Sequence, residues 1–426
     1  MKRKYFVISI VAFAVAFSSC NHLFLDEDIF GESPANRLAA NAAEALAHLQ
    51  SAPNGWEMHY FPTNTQIGHV LLVRFGEDGM ATMMGRNVTT NNQTATGTGT
   101  YRVRTIQTTV LSFDSENPII HEFANPSRPP QGQGMQGDFE FVIVSHSPDV
   151  VHLRGVKRNT HVEMRRLPDN QDWSVHLDKV DEMRDYLFST NPLLVLNIGN
   201  EQFSFANGRT STFVMPIIDE NIAARRVPFV VTAEGITLSQ NFVEENSGNA
   251  VRRFVLNEER TQLIAADVNF DSRIQIAPAI DVFIDNLNNG TVPTVFGSSA
   301  DMSADIHAVY TMVEDKIASF SISLNFIGFV NHRTIGPSLV VEAGAVVGFI
   351  GLDVTKVGDD ELSITATGIM DANGRVFYEQ CDVSFFIAML AADTYSVSFQ
   401  DGGFAPTTFR FQSRNNPNKW FDLFFR

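Results

Sequence analysis

Cysteine is the scarcest residue of this chain, with only Cys20 and Cys381 among its 426 residues. If Cys20 is acylated, as argued below, Cys381 has no partner in the chain, which excludes an internal disulfide. The fold then depends on core burial alone. Cys381 lies between two apolar stretches, so we expect a buried small hydrophobic residue and not a nucleophile.

Positive charge is also sparse. The chain has 31 Lys and Arg against 48 Asp and Glu, a formal net charge of −17, and its basic residues form no long run. Nucleic-acid binding needs clustered basic residues, so this composition argues against it. The hydrophobic content of 44% includes 35 Phe, enough core material to exclude bulk disorder.

The apolar run at the N-terminus is too short for a membrane helix. It covers Tyr5–Phe17, 13 residues that follow the basic cluster Lys2-Arg3-Lys4 and precede the small pair Ser18-Ser19. A bilayer-spanning helix needs about 20 apolar residues. A basic, then apolar, then small-residue order is instead typical of a secretory signal. We therefore predict that residues 1–19 form a signal peptide that is removed.

Cys20 is the predicted site of lipidation. It directly follows Phe17-Ser18-Ser19, the position at which bacterial lipoproteins are cut and acylated. Two or more acyl chains, at about 0.8 kcal/mol per buried CH₂, anchor a protein stably. We predict a palmitate-bearing lipoprotein of the outer membrane, on the cell surface or the periplasmic face, with residues 20–31 as its tether. The alternative is an ordinary secretory signal in which Cys20 is coincidental.

Two periodicities alternate along the rest of the chain. Pro34–Gln50 has the apolar spacing of a helix, and from Trp56 the apolar residues recur at every second position. About eight short strands are predicted up to Met164, which favours an antiparallel barrel or sandwich. Further helices are predicted over Trp173–Phe188 and from about Ala304 to Lys316, each followed by more strands.

The predicted fold class is therefore mainly β (α+β), with antiparallel barrel- or sandwich-like modules and a few flanking helices. Leu167-Pro168-Asp169-Asn170 reads as a boundary between modules. We expect an N-terminal helix plus antiparallel β domain over residues 32–168 and a C-terminal β-rich domain over residues 169–426. A further division near residue 300 stays open.

No catalytic or nucleotide-binding motif is complete. Gly132–Gly137 spells G-x-G-x-x-G, but Pro129-Pro130 precede it and a predicted strand follows. We therefore expect Pro129–Gly137 to be a flexible, dispensable loop with little to bury. His121-Glu122 lacks the second histidine of a zinc peptidase. Asp267–Asp271 opens like a calcium loop but lacks the turn glycine and the final glutamate.

The eleven histidines do not cluster in the sequence. His146, His152 and His161 lie on or beside neighbouring predicted strands and could approach one another, but exposed strand positions explain them equally well. We therefore expect no catalytic residue, no metal site and no cofactor, and an activity that consists of binding.

Several phrases in the first half of the chain resemble a known family. They include Asn54-Gly55-Trp56, Leu71–Phe75, Val110–Asp114, Asn117–His121, Gly137–Ile143 and Leu153-Arg154-Gly155. Together they resemble the Bacteroidetes lipoproteins grouped as domain of unknown function 4302, most clearly over residues 20–166. That family has no established activity to carry over. Its members tend to occur with outer-membrane transporter pairs of the SusC/SusD type, so the resemblance implies an accessory role in nutrient uptake.

Three classes of function stay open at this point. The first is a membrane-anchored lipoprotein that binds a ligand or a SusC/SusD-like partner without catalysis. The second is an extracytoplasmic hydrolase whose residues meet only in three dimensions, since acid pairs on separate strands leave no spacing signature. The third is a structural envelope lipoprotein. The predicted lipidation and the incomplete motifs favour the first.

Overall fold

The computed structural model describes residues 34–426, except residues 106, 129–131, 190–192, 200, 206–211, 216–224, 245–246, 291–292 and 359. The chain divides into two compact units. Of the described residues, the first contains residues 34–58 together with Leu71–Gln171, and the second contains His59–Val70 together with Asp172–Arg426. Within the described residues, no helix is both long and apolar enough to cross a membrane.

A helix and a closed eight-stranded barrel come first in the chain. Helix α1 spans Pro34–Gln50; it begins with Pro, which suits a first turn, and is rich in Ala, the strongest helix former. The strands are β1 (Trp56–Tyr60), β2 (His69–Phe75), β3 (Met80–Gly85), β4 (Ala95–Thr105), β5 (Thr109–Phe113), β6 (Glu140–Ser147), β7 (Val150–Gly155) and β8 (His161–Arg166). They follow one another in sequence order around the barrel, which is therefore an up-and-down meander.

Side chains fill the interior of this first barrel. Trp56, Met58 and Tyr60 alternate along β1 and are completely buried, as the inward residues of a small closed barrel have to be. The indole Nε1 of Trp56 donates to the backbone carbonyl of Leu49 at 2.9 Å, which ties the last turn of α1 to the core. The interior around Trp56 is therefore packed core and not a ligand cavity.

An open antiparallel sheet, which we call the half-barrel, follows helix α2 (Trp173–Phe188). The Asp172 side chain starts α2 by accepting a hydrogen bond from the backbone N–H of Val175 at 2.9 Å. The strands are β9 (Leu194–Ile198), β10 (Glu201–Phe205), β11 (Thr212–Met215), β12 (Arg225–Val231), β13 (Gly235–Val243), β14 (Ala250–Leu256), β15 (Leu263–Ala265) and β16 (Ser272–Ile276). Their order in the sheet is β10-β9-β16-β15-β14-β13-β12-β11. Met183 and Leu187 of α2 pack into the core of this sheet.

A second closed barrel, which we call the last barrel, completes the chain. Its strands are β17 (Thr294–Phe296), β18 (Leu324–His332), β19 (Gly336–Ala343), β20 (Val346–Val357), β21 (Glu361–Met370), β22 (Thr394–Phe399), β23 (Thr408–Ser413) and β24 (Trp420–Phe425). Its helices are α3 (Ala279–Asn289), α4 (Ala304–Ala318), α5 (Ala372–Gln380) and α6 (Val383–Ala391). The Phe283 ring of α3 lies 5.6 Å from that of Phe329 on β18 and 4.8 Å from that of Phe411 on β23. Because β18 and β23 are not neighbours in the sheet, Phe283 joins separate parts of the barrel wall.

The predicted fold class is confirmed: the chain is mainly β, with two closed antiparallel barrels, a half-barrel and flanking helices. The prediction of strands alone after Lys316 is wrong, because α5 and α6 occupy residues 372–391. The apolar run at the start of α6 is too short for its period to separate strand from helix. The Asp371 side chain, which accepts from the N–H of Gly374 at 2.6 Å, starts α5. Helix α3 has no counterpart in the sequence prediction.

Candidate functional site

The predicted lipidation residue, Cys20, lies outside the described residues, as do the signal peptide and the tether. Its acylation therefore stays a prediction. The other thiol, Cys381, is 3% exposed, which confirms the expectation of a buried small hydrophobic residue. Burial, followed by the negative charge of Asp382, raises the pKa of the Cys381 thiol and so keeps it in its unreactive form.

The strand pair β7 and β8 presents a group of polar side chains on the outside of the first barrel. Val151 and Leu153 of β7 are buried toward the interior, so His152 between them points outward. The antiparallel register sets His152 directly opposite Glu163 and Arg154 opposite His161. These cross-strand partners share the outer face, because paired residues point to the same side of a sheet.

His152, His161 and Glu163 form the tightest polar group on this face. One nitrogen of each imidazole and one carboxylate oxygen lie within 4.8 Å of one another. The two imidazole rings are 5.5 Å apart between centroids, and their planes are inclined by 31°. The Nδ1 atom of His152 lies 3.8 Å from Oε2 of Glu163, which is too far for a hydrogen bond.

Glu163 is the buried member of the group. Its exposed fraction is 3%, whereas the side chain of His152 is 38% exposed. A buried carboxylate requires a charged or hydrogen-bonding partner, and Nε of Arg165 lies 2.6 Å from its Oε1 atom. The ion pair with Arg165 therefore engages one carboxylate oxygen, while the other faces His152.

His146, the third histidine of the predicted trio, does not join this group. A register shift between Ile143 and Ser145 places His146 opposite Val151, whose side chain is buried in the interior. A one-residue shift turns a side chain to the other face of a strand. The ring of His146 instead stacks on that of His48 at 4.6 Å. Burial, followed by the charge of His146, lowers the pKa of His48.

A buried carboxylate, Asp138, fixes the turn that leads into β8. It accepts hydrogen bonds from the backbone N–H groups of Arg158 at 2.7 Å and Lys157 at 3.2 Å. Burial raises the pKa of Asp138, and these two hydrogen bonds act in the opposite direction. In the sequence, Asp138 and Glu140 alternate with Phe139 and Phe141, which predicts a strand with its aromatic face buried and its acidic face exposed. At the first pair the structure shows the reverse: Asp138 is 3% exposed and Phe139 37%.

A cavity of about 340 Å³ lies beside this turn. Its lining combines amides, charges of both signs and one aromatic ring, from residues that include Gln133, Gln136, Asp138, Phe139, Glu140 and Arg158. The Phe139 ring is held against the His121 ring at 4.7 Å between centroids. Asp138 is engaged by two amides and Glu140 by the guanidinium of Arg104. The cavity therefore offers polar and aromatic contacts, while both its carboxylates already have partners.

Residues of the zinc-peptidase-like and calcium-like motifs make hydrogen bonds or ion pairs with other residues of the chain. His121 begins a single 3-10 turn, and its Nδ1 lies 3.1 Å from the backbone nitrogen of Asn117. Glu122 pairs with Arg128 at 2.8 Å. In the calcium-like segment, the carboxylate of Asp271 lies 3.4 Å from the guanidinium of Arg273, so it is paired with a cationic side chain.

The glycine-rich loop is packed in its second half. Gly134 has φ +59°, and a Cβ there would lie 2.2 Å from the carbonyl oxygen of Asn125. The N–H of Gly137 donates to the carbonyl of Phe123 at 2.9 Å. The expectation of a loop with little to bury is therefore wrong for residues 134–137. Residues 129–131 of the loop lie outside the described residues, and its dispensability stays a prediction. Strand β6 follows directly, without the helix that a nucleotide-binding loop needs.

A single family match covers the first barrel and the half-barrel as far as β14. The fold defines a mainly β protein built from antiparallel barrel modules. Residues 26–258 match the model of a domain of unknown function (DUF4302), more than half of the 426 residues, so the chain belongs to the DUF4302 family. The match runs past Arg166, where the family-like phrases end, through β14 of the half-barrel.

Other comparisons add no functional information. No curated protein matches the chain. Two solved structures of the beta clamp of Helicobacter pylori, one bound to a DNA ligase peptide and one in complex with diflunisal, are 9% identical to it. Each match covers 91% of this chain and 97% of the clamp chain, with TM-scores of 0.11 and 0.12. Scores this low carry no argument about fold or function.

Proposed function

We propose that the chain is a lipoprotein anchored to the outer membrane through Cys20, on the cell surface or the periplasmic face. We further propose that it serves as a non-catalytic, ligand-binding accessory of a nutrient-uptake system. The order of basic, apolar and small residues before Cys20 supports the anchor. The burial of Cys381 supports it as well, because a buried thiol is a poor target for acylation and the sequence has Cys20 as its other cysteine.

The observation that carries the binding role is the cavity of about 340 Å³ beside Phe139. Small-molecule sites combine an apolar surface with a few polar groups that fix orientation. Here a half-exposed aromatic ring stands among amides and charged groups, a lining suited to a small polar ligand such as a sugar or a short peptide. Because its two carboxylates have partners, the cavity favours binding over acid–base catalysis.

A SusC/SusD-like transporter pair is the proposed partner. Its support is the resemblance to a family whose members tend to occur with such pairs. In this role the lipid anchor would hold the cavity close to the transporter, and a captured ligand would pass to it without chemical change.

Metabolic labelling tests the anchor. Cells that express the full chain with radiolabelled palmitate should yield a labelled protein, and the Cys20→Ala variant should yield an unlabelled one. Equal labelling of both forms, or of neither, would contradict the anchor.

A ligand screen tests the cavity. Purified residues 21–426 would be screened against oligosaccharides, short peptides and iron chelates by calorimetry. We expect Phe139→Ala to weaken binding of a hit by up to about tenfold, since one aromatic contact contributes about 0.5–1.5 kcal/mol beyond its buried area. Phe385→Ala is the matched control, because Phe385 is an exposed Phe of α6 in the last barrel. Equal affinities of the two variants would exclude the cavity as the binding site.

A further inference from the structure

We propose that His152, His161 and Glu163 bind one divalent transition-metal ion, of which Zn²⁺ is the natural probe, on the outer face of the first barrel. The metal site would be independent of the lipid anchor and of the cavity beside Phe139. The register of β7 and β8, the spacing of the three side chains and their chemistry support it.

The three side chains already share the space that one ion would occupy. Their nearest nitrogen and oxygen atoms lie within 4.8 Å of one another. Ligand atoms around a tetrahedral Zn²⁺ lie roughly 3.3 Å apart, given bonds of about 2.0–2.1 Å. Small side-chain rotations would therefore bring the atoms onto one ion without movement of the strands.

The donor set fits a borderline-soft metal. Imidazole nitrogens and a carboxylate oxygen are common Zn²⁺ ligands, whereas Ca²⁺ and Mg²⁺ prefer sites made of oxygen. Two histidines and one glutamate leave the fourth tetrahedral position open for water or another small ligand.

The ion pair with Arg165 orients the Glu163 carboxylate toward the position of such an ion. Arg165 lies 2.6 Å from Oε1 of Glu163, and this contact orients the group so that Oε2 faces Nδ1 of His152. Outer partners of this kind fix the orientation of a ligand before the metal arrives. Within the described residues, Nδ1 of His152 is buried and makes no hydrogen bond. A metal bond would satisfy this nitrogen, which is costly to bury alone.

Positive charge beside the group limits the affinity. Arg154 stands opposite His161 in the register, and Arg165 pairs with Glu163. Arg154 is exposed, so its removal should leave the fold intact while lowering the repulsion of a cation. We expect Arg154→Gln to bind Zn²⁺ roughly two- to fivefold more tightly, the size of one surface charge interaction.

The test is a Zn²⁺ titration of untagged residues 21–426 in competition with a chromophoric chelator. Wild type should bind one equivalent. His152→Ala and His161→Ala should each weaken that binding by more than about tenfold. His146→Ala is the matched control, because His146 faces the other side of the strand and should leave the affinity unchanged. Co²⁺ should give the visible absorption of tetrahedral coordination in wild type and lose it in the two site variants.

Three results would overturn the proposal. They are the absence of a saturable equivalent in wild type, wild-type affinity in His152→Ala, and an equal loss of affinity in His146→Ala. If a site variant melts below wild type in the absence of metal, Arg154→Gln decides the question. A tighter Zn²⁺ complex in that variant supports the site, and unchanged or weaker binding contradicts it.

Discussion

The two closed barrels have the same strand order but bury different kinds of side chain. The first barrel buries ionisable side chains, among them Glu57, His59, Asp138 and Glu163. Among the described residues of the last barrel, Asp422 is the buried carboxylate, and Arg410 donates to both of its oxygens at 2.7 Å. The core of the last barrel is otherwise a continuous set of aromatic and aliphatic side chains.

Both proposed binding sites lie in the first barrel, which is the one that buries several ionisable side chains. Buried charges cost free energy unless they are paired, and they make a region sensitive to pH and to substitution. Apolar cores have no such dependence. The cavity, the His152–His161–Glu163 group and most of the family match all fall in the first two modules.

The largest effect is expected from Phe283→Ala in the last barrel. Phe283 is completely buried and meets the rings of Phe329, Phe409 and Phe411. Its truncation should cost about 3–5 kcal/mol. Phe385→Ala, at a 61% exposed position, should change stability by less than about 0.5 kcal/mol. Chemical denaturation of both variants measures the difference, and similar losses would refute an apolar core centred on α3.

Acid should weaken the fold through His69, the first residue of β2. Burial, and then the charge of Arg184, lowers the pKa of His69 from 6.5 to about 3. Between these values the unfolded chain binds a proton that the folded chain does not. Stability is therefore full above pH 6.5 and falls as the pH drops toward 3, by up to about 1.4 kcal/mol per pH unit.

Denaturation between pH 7 and pH 5 in wild type and in His69→Gln isolates this contribution. The variant should show a shallower loss, by about 2 kcal/mol at pH 5. His307→Gln on α4 controls for the general effect of losing a histidine. Parallel pH profiles of wild type and His69→Gln would show that His69 does not cause the loss of stability in acid.

A smaller effect is expected from Asp138→Asn in the first barrel. The substitution weakens two hydrogen bonds to a charged acceptor, which should cost about 1–2 kcal/mol. Asp149→Asn is the matched control, since Asp149 lies in another turn with a side chain 82% exposed. Hydrogen exchange should quicken in the turn before β8 for Asp138→Asn alone. Equal exchange in both variants would show that Asp138 does not hold this turn.

Much of the architecture was predictable from the sequence, because period-two alternation is strong where one strand face is buried. In β7, Val151 and Leu153 are core residues, and the side chain of His152 between them is 38% exposed. Helices α5 and α6 were not predicted because their apolar runs are short. The burial of Asp138 was not predicted because the pattern indicated that its neighbour Phe139 is the buried residue. In both cases tertiary contacts decided the outcome over local pattern.

The candidate site was only half predictable. His152 and His161 lie on or beside neighbouring predicted strands, but Glu163 was not predicted to join them, although the five-residue connection between β7 and β8 indicates its position. A hairpin register counted across residues 156–160 sets Glu163 opposite His152. That His146 lies outside this group was not predictable, because its position depends on the register shift between Ile143 and Ser145 in β6.

The proposed location of the metal site in the first barrel, and not in the last, can be tested in one measurement: peptide-level hydrogen exchange of untagged residues 21–426 with and without one equivalent of Zn²⁺. Metal bound to the native state slows local opening where its ligands lie. The account predicts slower exchange in β7 and β8 and no change in β17–β24, with the slowing absent in His152→Ala. Slowing confined to the last barrel, or no slowing anywhere, would contradict it.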